Sequence, residues 1–309
     1  MRSWGSLARF VALALMWGSS FLWIKIGLGG LSPVQITLIR LVLGAALMLG
    51  LVFATRATMP KGWRSWAKIL VPASFGSSVP FTLFALGERS VDSGVAGVLN
   101  ATTPLWALLI ALVLGTERHL GVVRTIGLLL GFGGTLLIFA PWQAAGLASW
   151  GALACLMAAI SYAISYTYIA RYLSGTLSPA ALSAAQLSGG VVLVLIVSPV
   201  AGGLDPIRIS AAPLIAVTVL GIASTGVAFL LNNRLIADEG AVTATSVGYL
   251  LPVVSVLLGA LFLGEHLNIR IVAGMLVVLA GVALSRRHAA RRRAADGDLT
   301  DSEQKPALS

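Results

Sequence analysis

The chain has 309 residues, of which 58% are hydrophobic and only 10% charged, with a mean hydropathy of +0.94. A soluble domain carries roughly 25% charged residues to hydrate its surface, so this composition excludes a water-soluble globular protein and requires a surface that largely faces lipid. The net charge of +10 does not make a nucleic-acid partner: the basic residues flank apolar stretches and are not interleaved with aromatics, which is how cationic residues distribute beside membrane spans.

About 20 apolar residues cross the hydrocarbon core as a helix. In chain order the hydropathy predicts ten such spans: 9–28, 33–54, 66–86, 91–115, 122–140, 149–170, 179–200, 211–233, 240–264 and 270–286. The first could be mistaken for a cleaved signal, but it runs a full membrane thickness and nine more follow. With the N-terminus placed in the cytoplasm, Arg2, Arg9, Arg56, Lys61, Arg64, Lys68, Arg118, Arg124, Arg171, Arg234 and the basic tail fall inside. Only Lys25, Arg89, Arg208 and Arg270 fall outside, so the positive-inside rule puts both termini in the cytoplasm of a multi-pass plasma-membrane protein. Residues 287–309 read as a disordered cytoplasmic tail whose basic start lies against anionic headgroups.

Two stretches repeat one pattern: "ATTPLWALLIALVLGTERH" from Ala101 and "GYLLPVVSVLLGALFLGEH" from Gly248. Each sets Glu thirteen residues after Pro, as Pro104 with Glu117 and Pro252 with Glu265, and the two copies stand 148 residues apart. At that offset Val71 matches Val219, Phe81 matches Phe229 and Gly133 matches Gly281; Ser-Pro also opens the second span at Ser32–Pro33 and the seventh at Ser178–Pro179. The chain therefore divides into residues 1–140 and 141–286, five spans each. An odd number of spans inverts the second unit, and inverted repeats are a recurring build for secondary transporters.

The stretches "MWGSSFLWIKIGLGGLSPVQITLIRLVLGA" (16–45), "VAGVLNATTPLWALLIALVLGTERH" (95–119) and "GAVTATSVGYLLPVVSVLLGALFLGEHL" (240–267) resemble the EamA-type transporters of the drug/metabolite transporter superfamily. The resemblance covers about residues 9–286. It implies an all-α fold of ten transmembrane helices in two inverted five-helix repeats. It also implies movement of small solutes such as amino acids or other metabolites, often outward.

Polar groups inside a bilayer are costly and face protein or a water-filled cavity. Arg40 is the one formal charge well inside a span. Three roles stay open for it: snorkelling to the interface, holding helices together, or gripping an anionic group with its planar fork. Gln186 stands at the matching place in the second repeat. Candidate cavity residues on the other spans are Trp17, Ser20, Ser77, Asn100, Thr103, Trp106, Ser161, Tyr162, Thr225, Ser246 and Tyr249, against the plainer reading of hydroxyls that pack or bond their own helix. The aromatics among them suit a small amphipathic solute.

Pro104 and Pro252 are expected within the first half of their helices, where proline frees a carbonyl, either as packing kinks or as gates. Glu117 and Glu265 end their spans. Ion pairs with Arg118, Arg124 or Arg270 are the favoured reading, and gate latches the other. No carboxylate is expected near the midplane, so the energy source stays open. Cys155, the single cysteine, and three scattered histidines hold no metal, and no phosphate-binding loop or other cofactor motif occurs. Gly127 and Gly131 form a GxxxG face whose partner is either a helix of the same chain or a second copy in a homodimer. A small organic solute and membrane lipids are the expected partners. A lipid or drug flippase is the alternative within the same class. A membrane-embedded enzyme would need a general base or metal cluster, which the spans lack.

Overall fold

The computed structural model describes residues 2–91, 93–115, 121–139, 149–207, 210–263 and 269–284. Every regular element among them is helical. In order these are α1 (Arg2–Gly18), α2 (Ser20–Gly27), α3 (Pro33–Thr55), α4 (Trp63–Ala73), α5 (Val79–Gly87), α6 (Ser93–Asn100), α7 (Thr103–Val113), α8 (Val122–Phe139), α9 (Trp150–Tyr168), α10 (Pro179–Val197), α11 (Ala211–Gly221), α12 (Ala228–Glu239), α13 (Ala241–Thr245) and α14 (Leu250–Leu263). A last apolar helix, α15, runs over Ile269–Leu284.

Several join end to end. Seven apolar helical stretches are long enough to cross a membrane: Gly5–Gly27, Pro33–Thr55, Trp63–Gly87, Ala96–Val113, Trp150–Leu173, Pro179–Val200 and Ala211–Glu239. Three shorter apolar helices lie at Thr125–Leu137, Thr243–Val254 and Ile269–Leu284. These fall on the spans read from hydropathy.

The Ser-Pro entries work as helix starts. Ser32 accepts the Gln35 backbone N–H at 3.2 Å while the Gln35 side-chain oxygen accepts the Ser32 N–H at 2.9 Å, a reciprocal capping box with Pro33 in the first turn. Ser178 caps α10 one way, accepting the Ala181 N–H at 3.2 Å, with Pro179 in the first turn. At the other end of α3, Arg56 turns the chain out of the helix with φ 51°.

Two helices change pitch at repeat-related places. Ser74–Ser78, between α4 and α5, and Ile222–Val227, between α11 and α12, are π-helical, and their first residues are 148 apart. In the first segment a local cause is visible. The hydroxyls of Ser77 and Ser78 both donate to the Ala73 carbonyl, at 2.7 and 2.9 Å, and Pro80 follows without an N–H. Hydroxyl back-bonding and a missing donor both loosen the ordinary ladder.

The prolines of the repeated motif sit differently from expectation. The fourth span is broken at Ala101–Thr102, and Pro104 stands in the first turn of α7. In the ninth a 3-10 turn, Ser246–Tyr249, precedes α14, whose third residue is Pro252. Each proline occupies a helix start, where its missing N–H costs no internal bond. The interruption lies just before it.

The buried face of α3 (Val34, Leu41, Ala45, Met48, Val52) packs on that of α10 (Ala181, Ala184, Leu187, Val194). The second helix of one repeat thus meets the second helix of the other. Small residues let further helices approach. A Cβ on Gly281 of α15 would stand 2.5 Å from the Gly131 nitrogen and 2.6 Å from the Gly127 carbonyl oxygen. The GxxxG face of α8 is therefore covered by α15 of the same chain. Because the neighbours are backbone, Gly281→Ala is expected to destabilise the chain by about 1–3 kcal/mol, the usual cost of overpacking, read as a lower melting temperature of the purified protein.

Long-range bonds join the ends of different spans. Arg9 pairs with Asp238 at 2.7 Å, and Arg171 donates to the Leu114 carbonyl at 3.0 Å. At the opposite ends Lys25 donates to the Glu88 carbonyl at 3.2 Å and Ser32 to the Gly202 carbonyl at 2.7 Å.

Candidate functional site

A cavity opens between the two halves, lined by Trp17, Ser20, Phe21 and Ile24 from the first span, Arg40 from α3, Phe81 and Phe84 from α5, Asn100 and Thr103 at the break of the fourth, Tyr162 and Tyr166 from α9, and Thr245, Gly248 and Leu251 from the ninth. The space it encloses is about 50 Å³. Trp17, Ser20, Arg40, Asn100, Thr103 and Tyr162, six of the residues picked out from sequence, meet here.

Arg40 is its one formal charge, 4% exposed. Its Nε donates to the Thr225 hydroxyl at 3.0 Å, and its guanidinium lies over the Phe81 ring at 3.6 Å from the centroid. No described carboxylate forms an ion pair with it, and its terminal nitrogens make no bond to a described residue. Snorkelling does not occur, because the side chain ends against Thr225 and Phe81 inside the protein. The surroundings are aromatic. Phe81 meets Phe229 edge-on at 5.8 Å, Phe84 stacks on Tyr162 at 6.1 Å, and Tyr162 on Tyr166 at 5.7 Å. A cation held against π faces, with its fork free, suits a carboxylate carried on an apolar body.

The π-helical segments hold this cavity by bonds that cross between repeats. Trp17 Nε1 donates to the Ser224 carbonyl at 3.1 Å, and Arg40 reaches Thr225 one residue on. In the other direction Ser161 donates to the Phe75 carbonyl at 2.8 Å, and Gln186 Nε2 to the Pro72 carbonyl at 3.1 Å. Each repeat thus sends a side chain from its first span and one from its second to the pitch change in the third span of the other. Carbonyls released by a π turn need such donors away from water. Arg40 and Gln186 occupy matched places, but one carries a charge and the other caps backbone.

The remaining sequence-picked residues stand around the cavity instead of on its wall. Ser77 bonds its own helix at Ala73, Ser246 bonds the Thr243 carbonyl at 2.6 Å, and Trp106 Nε1 donates to the Thr102 hydroxyl at 3.1 Å. Tyr249 is 1% exposed and packs against Gly131. Glu117, Glu265 and the basic tail lie outside the described residues.

Sequence reasoning passed over Phe81, Phe84 and Ser224, which read as ordinary span residues; only the match of Phe81 with Phe229 across the repeats marked one of them. It also passed over Glu88. That carboxylate follows the last residue of α5 and is 1% exposed. Its surroundings in sequence, "GERS", look like a wet loop.

The EamA-like transporter family model matches the chain twice, over residues 4–140 and 149–287. The chain belongs to the EamA-like transporter family. An uncharacterized transporter of Archaeoglobus fulgidus is 28% identical over 282 residues, covering 91% of this chain and 98% of that protein. The uncharacterized inner membrane transporter YedA of Escherichia coli K12 is 28% identical over 267 residues, covering 83% of this chain and 82% of its own. One crystal structure superposes with a TM-score of 0.76 at 20% identity, covering 93% of this chain and 99% of the other, a likeness of fold. This EamA-like chain is thus a multi-pass membrane transporter built from two repeats.

Proposed function

We propose that the chain is a secondary transporter that carries a small carboxylate-bearing solute, an amino acid or related metabolite, out of the cell by alternating access. The observation that carries this reading is Arg40, buried in an aromatic cavity with Nε anchored on Thr225 and its fork unpaired. A buried cation without a carboxylate partner is expensive, and an anionic solute supplies what it lacks.

Ten spans arranged as two inverted five-helix repeats, residues 1–140 and 141–286, give the exchange of shapes that alternating access needs. The crossed bonds support this arrangement, since each repeat grips the pitch change of the other. The GxxxG face of α8 is occupied within the chain, so a homodimer would use another face. Both termini lie in the cytoplasm, in keeping with the Lys and Arg distribution. A periplasmic-activity reporter fused after residue 145 is then active; a reporter that works only in the cytoplasm at that site contradicts the inversion.

The substrate is tested by untargeted mass spectrometry of the medium of cells lacking and cells overproducing the protein. The expected result is a carboxylate that accumulates outside on overproduction. A solute without a carboxylate or other anionic group in its place contradicts the role given to Arg40.

A further inference from the structure

Glu88 has no part in the solute contacts above, yet it is the most deeply buried acid among the described residues. It stands one turn beyond Phe84, whose ring lines the cavity. Its burial comes from glycine. A Cβ on Gly87 would stand 2.9 Å from the Gly151 carbonyl oxygen, and one on Gly151 equally close to that of Gly87, so α5 and α9 meet backbone to backbone beside it.

Among the described residues neither carboxyl oxygen of Glu88 has a hydrogen-bond partner. The charged and titratable groups that face it can be named element by element. From α2 comes Lys25, whose ammonium is bonded to the Glu88 main-chain carbonyl and not to its carboxyl. From α3 comes the charge of Arg40, and from α9 the thiol of Cys155. Its chain neighbour Arg89 is exposed.

A carboxylate without donors in so dry a place is penalised when ionised and favoured when protonated. Burial pushes the Glu88 carboxyl up to about 8, against the pull of Lys25 and then Arg40 toward the charged form. Proton binding here is therefore tied first to Lys25 and then, in part, to the Arg40 charge. An anion that neutralises Arg40 removes part of that pull and favours the protonated acid. By reciprocity the protonated acid favours the anion.

We propose that Glu88 is the proton site of the transport cycle: protonated, it leaves the Arg40 charge to an anionic solute, and ionised, it competes for that charge, so that anion and proton are bound together and released together. The proton comes from water, resides on a carboxyl oxygen of Glu88 and returns to water; no other bond changes. For a solute of net charge −1 the cargo is then an electroneutral pair. The coupling rests on the anion reading of the cavity.

The direct test is a pH titration of the purified full chain by infrared difference spectroscopy, following the carboxylic-acid C=O stretch. It needs no solute, so its failure is separate from failure of the cavity reading. The expected result is a band that disappears with a midpoint near 8 and is missing in Glu88→Gln. In Arg40→Gln the midpoint moves upward, because the cation that favoured the ionised form is gone. A midpoint in the ordinary carboxylate range, a band that persists in Glu88→Gln, or a midpoint indifferent to Arg40→Gln overturns the proposal. Should Glu88→Gln fail to fold, the wild-type midpoint and the Arg40→Gln shift still decide it. In cells, export of the solute identified by mass spectrometry should fall in the wild type as pH rises through about 8 and stay level in Glu88→Gln. A wild-type rate that is flat in pH overturns the coupling.

Discussion

Replacing Arg40 with Gln is expected to weaken solute transport about 10- to 100-fold while the protein still inserts and folds. A hydrogen bond to a charged group contributes about 1.5–3 kcal/mol, and each 1.4 kcal/mol is roughly a factor of ten in affinity. Arg40 can make such bonds because it is already held. Its Nε is committed to Thr225 at 3.0 Å and its plane to the Phe81 face at 3.6 Å, so little conformational freedom is lost when a solute arrives. Folding is expected to tolerate the change for a related reason. No described carboxylate is paired with the charge, and removing a buried cation of this kind also removes its desolvation cost. Export of the identified solute, measured beside the yield of monodisperse protein, separates the two effects. A variant that folds and exports at the parental rate removes Arg40 from the site.

Replacing Gly76 with Val is expected to damage the fold itself. Gly76 lies in the π-helical segment of the third span. A Cβ there would enter the space of the Ser165 hydroxyl and stand 2.6 Å from Gln186 Nε2. Gln186 is the residue that satisfies the Pro72 carbonyl, and Ser161 on the neighbouring turn satisfies that of Phe75. A branched side chain at Gly76 pushes Gln186 off the Pro72 carbonyl. Overpacking costs about 1–3 kcal/mol, and the Pro72 carbonyl left without its donor adds about 1–3 kcal/mol. The expected result is a melting temperature lower by many degrees, with a loss of folded protein at growth temperature. Gly50→Val is the control, because a Cβ on Gly50 of α3 meets nothing within 4 Å. Equal stability of the two variants would show that the crossed bonds do not hold the repeats together.

Much of this architecture could be read from residue order. Spans follow from hydropathy because the bilayer fixes their length, and the Ser-Pro entries follow from capping chemistry that needs only neighbours in sequence. The 148-residue offset located the repeat and, unrecognised at that level, also its pitch changes. Hydropathy carries no mark of a π turn: "SFGSS" and "IASTGV" are small and mildly polar, as packing segments often are. The prolines misled in position, since a proline in an apolar run does not reveal whether the helix continues through it or restarts at it.

Among the site residues, those that combine a polar group with a midspan position were legible, as Trp17, Arg40 and Tyr162 illustrate. Those whose role depends on a partner from the other repeat were not. Thr225 was marked as a cavity candidate, yet it serves the cavity by fixing Arg40. Glu88 was hidden because its burial is produced by the approach of Gly87 to Gly151, two glycines on different helices that no local pattern links.

Alternating access itself is tested most directly by chemical accessibility. The chain has a single cysteine, the buried Cys155, so Cys155→Ser provides a background without thiols. Ser20→Cys in that background places one thiol on the cavity wall. In oriented membrane vesicles, a membrane-impermeant maleimide added to the cytoplasmic face in one experiment and to the opposite face in another is expected to modify that thiol from both. Modification from one face alone, in the presence or absence of the transported solute, would contradict a cavity that opens to the two sides in turn.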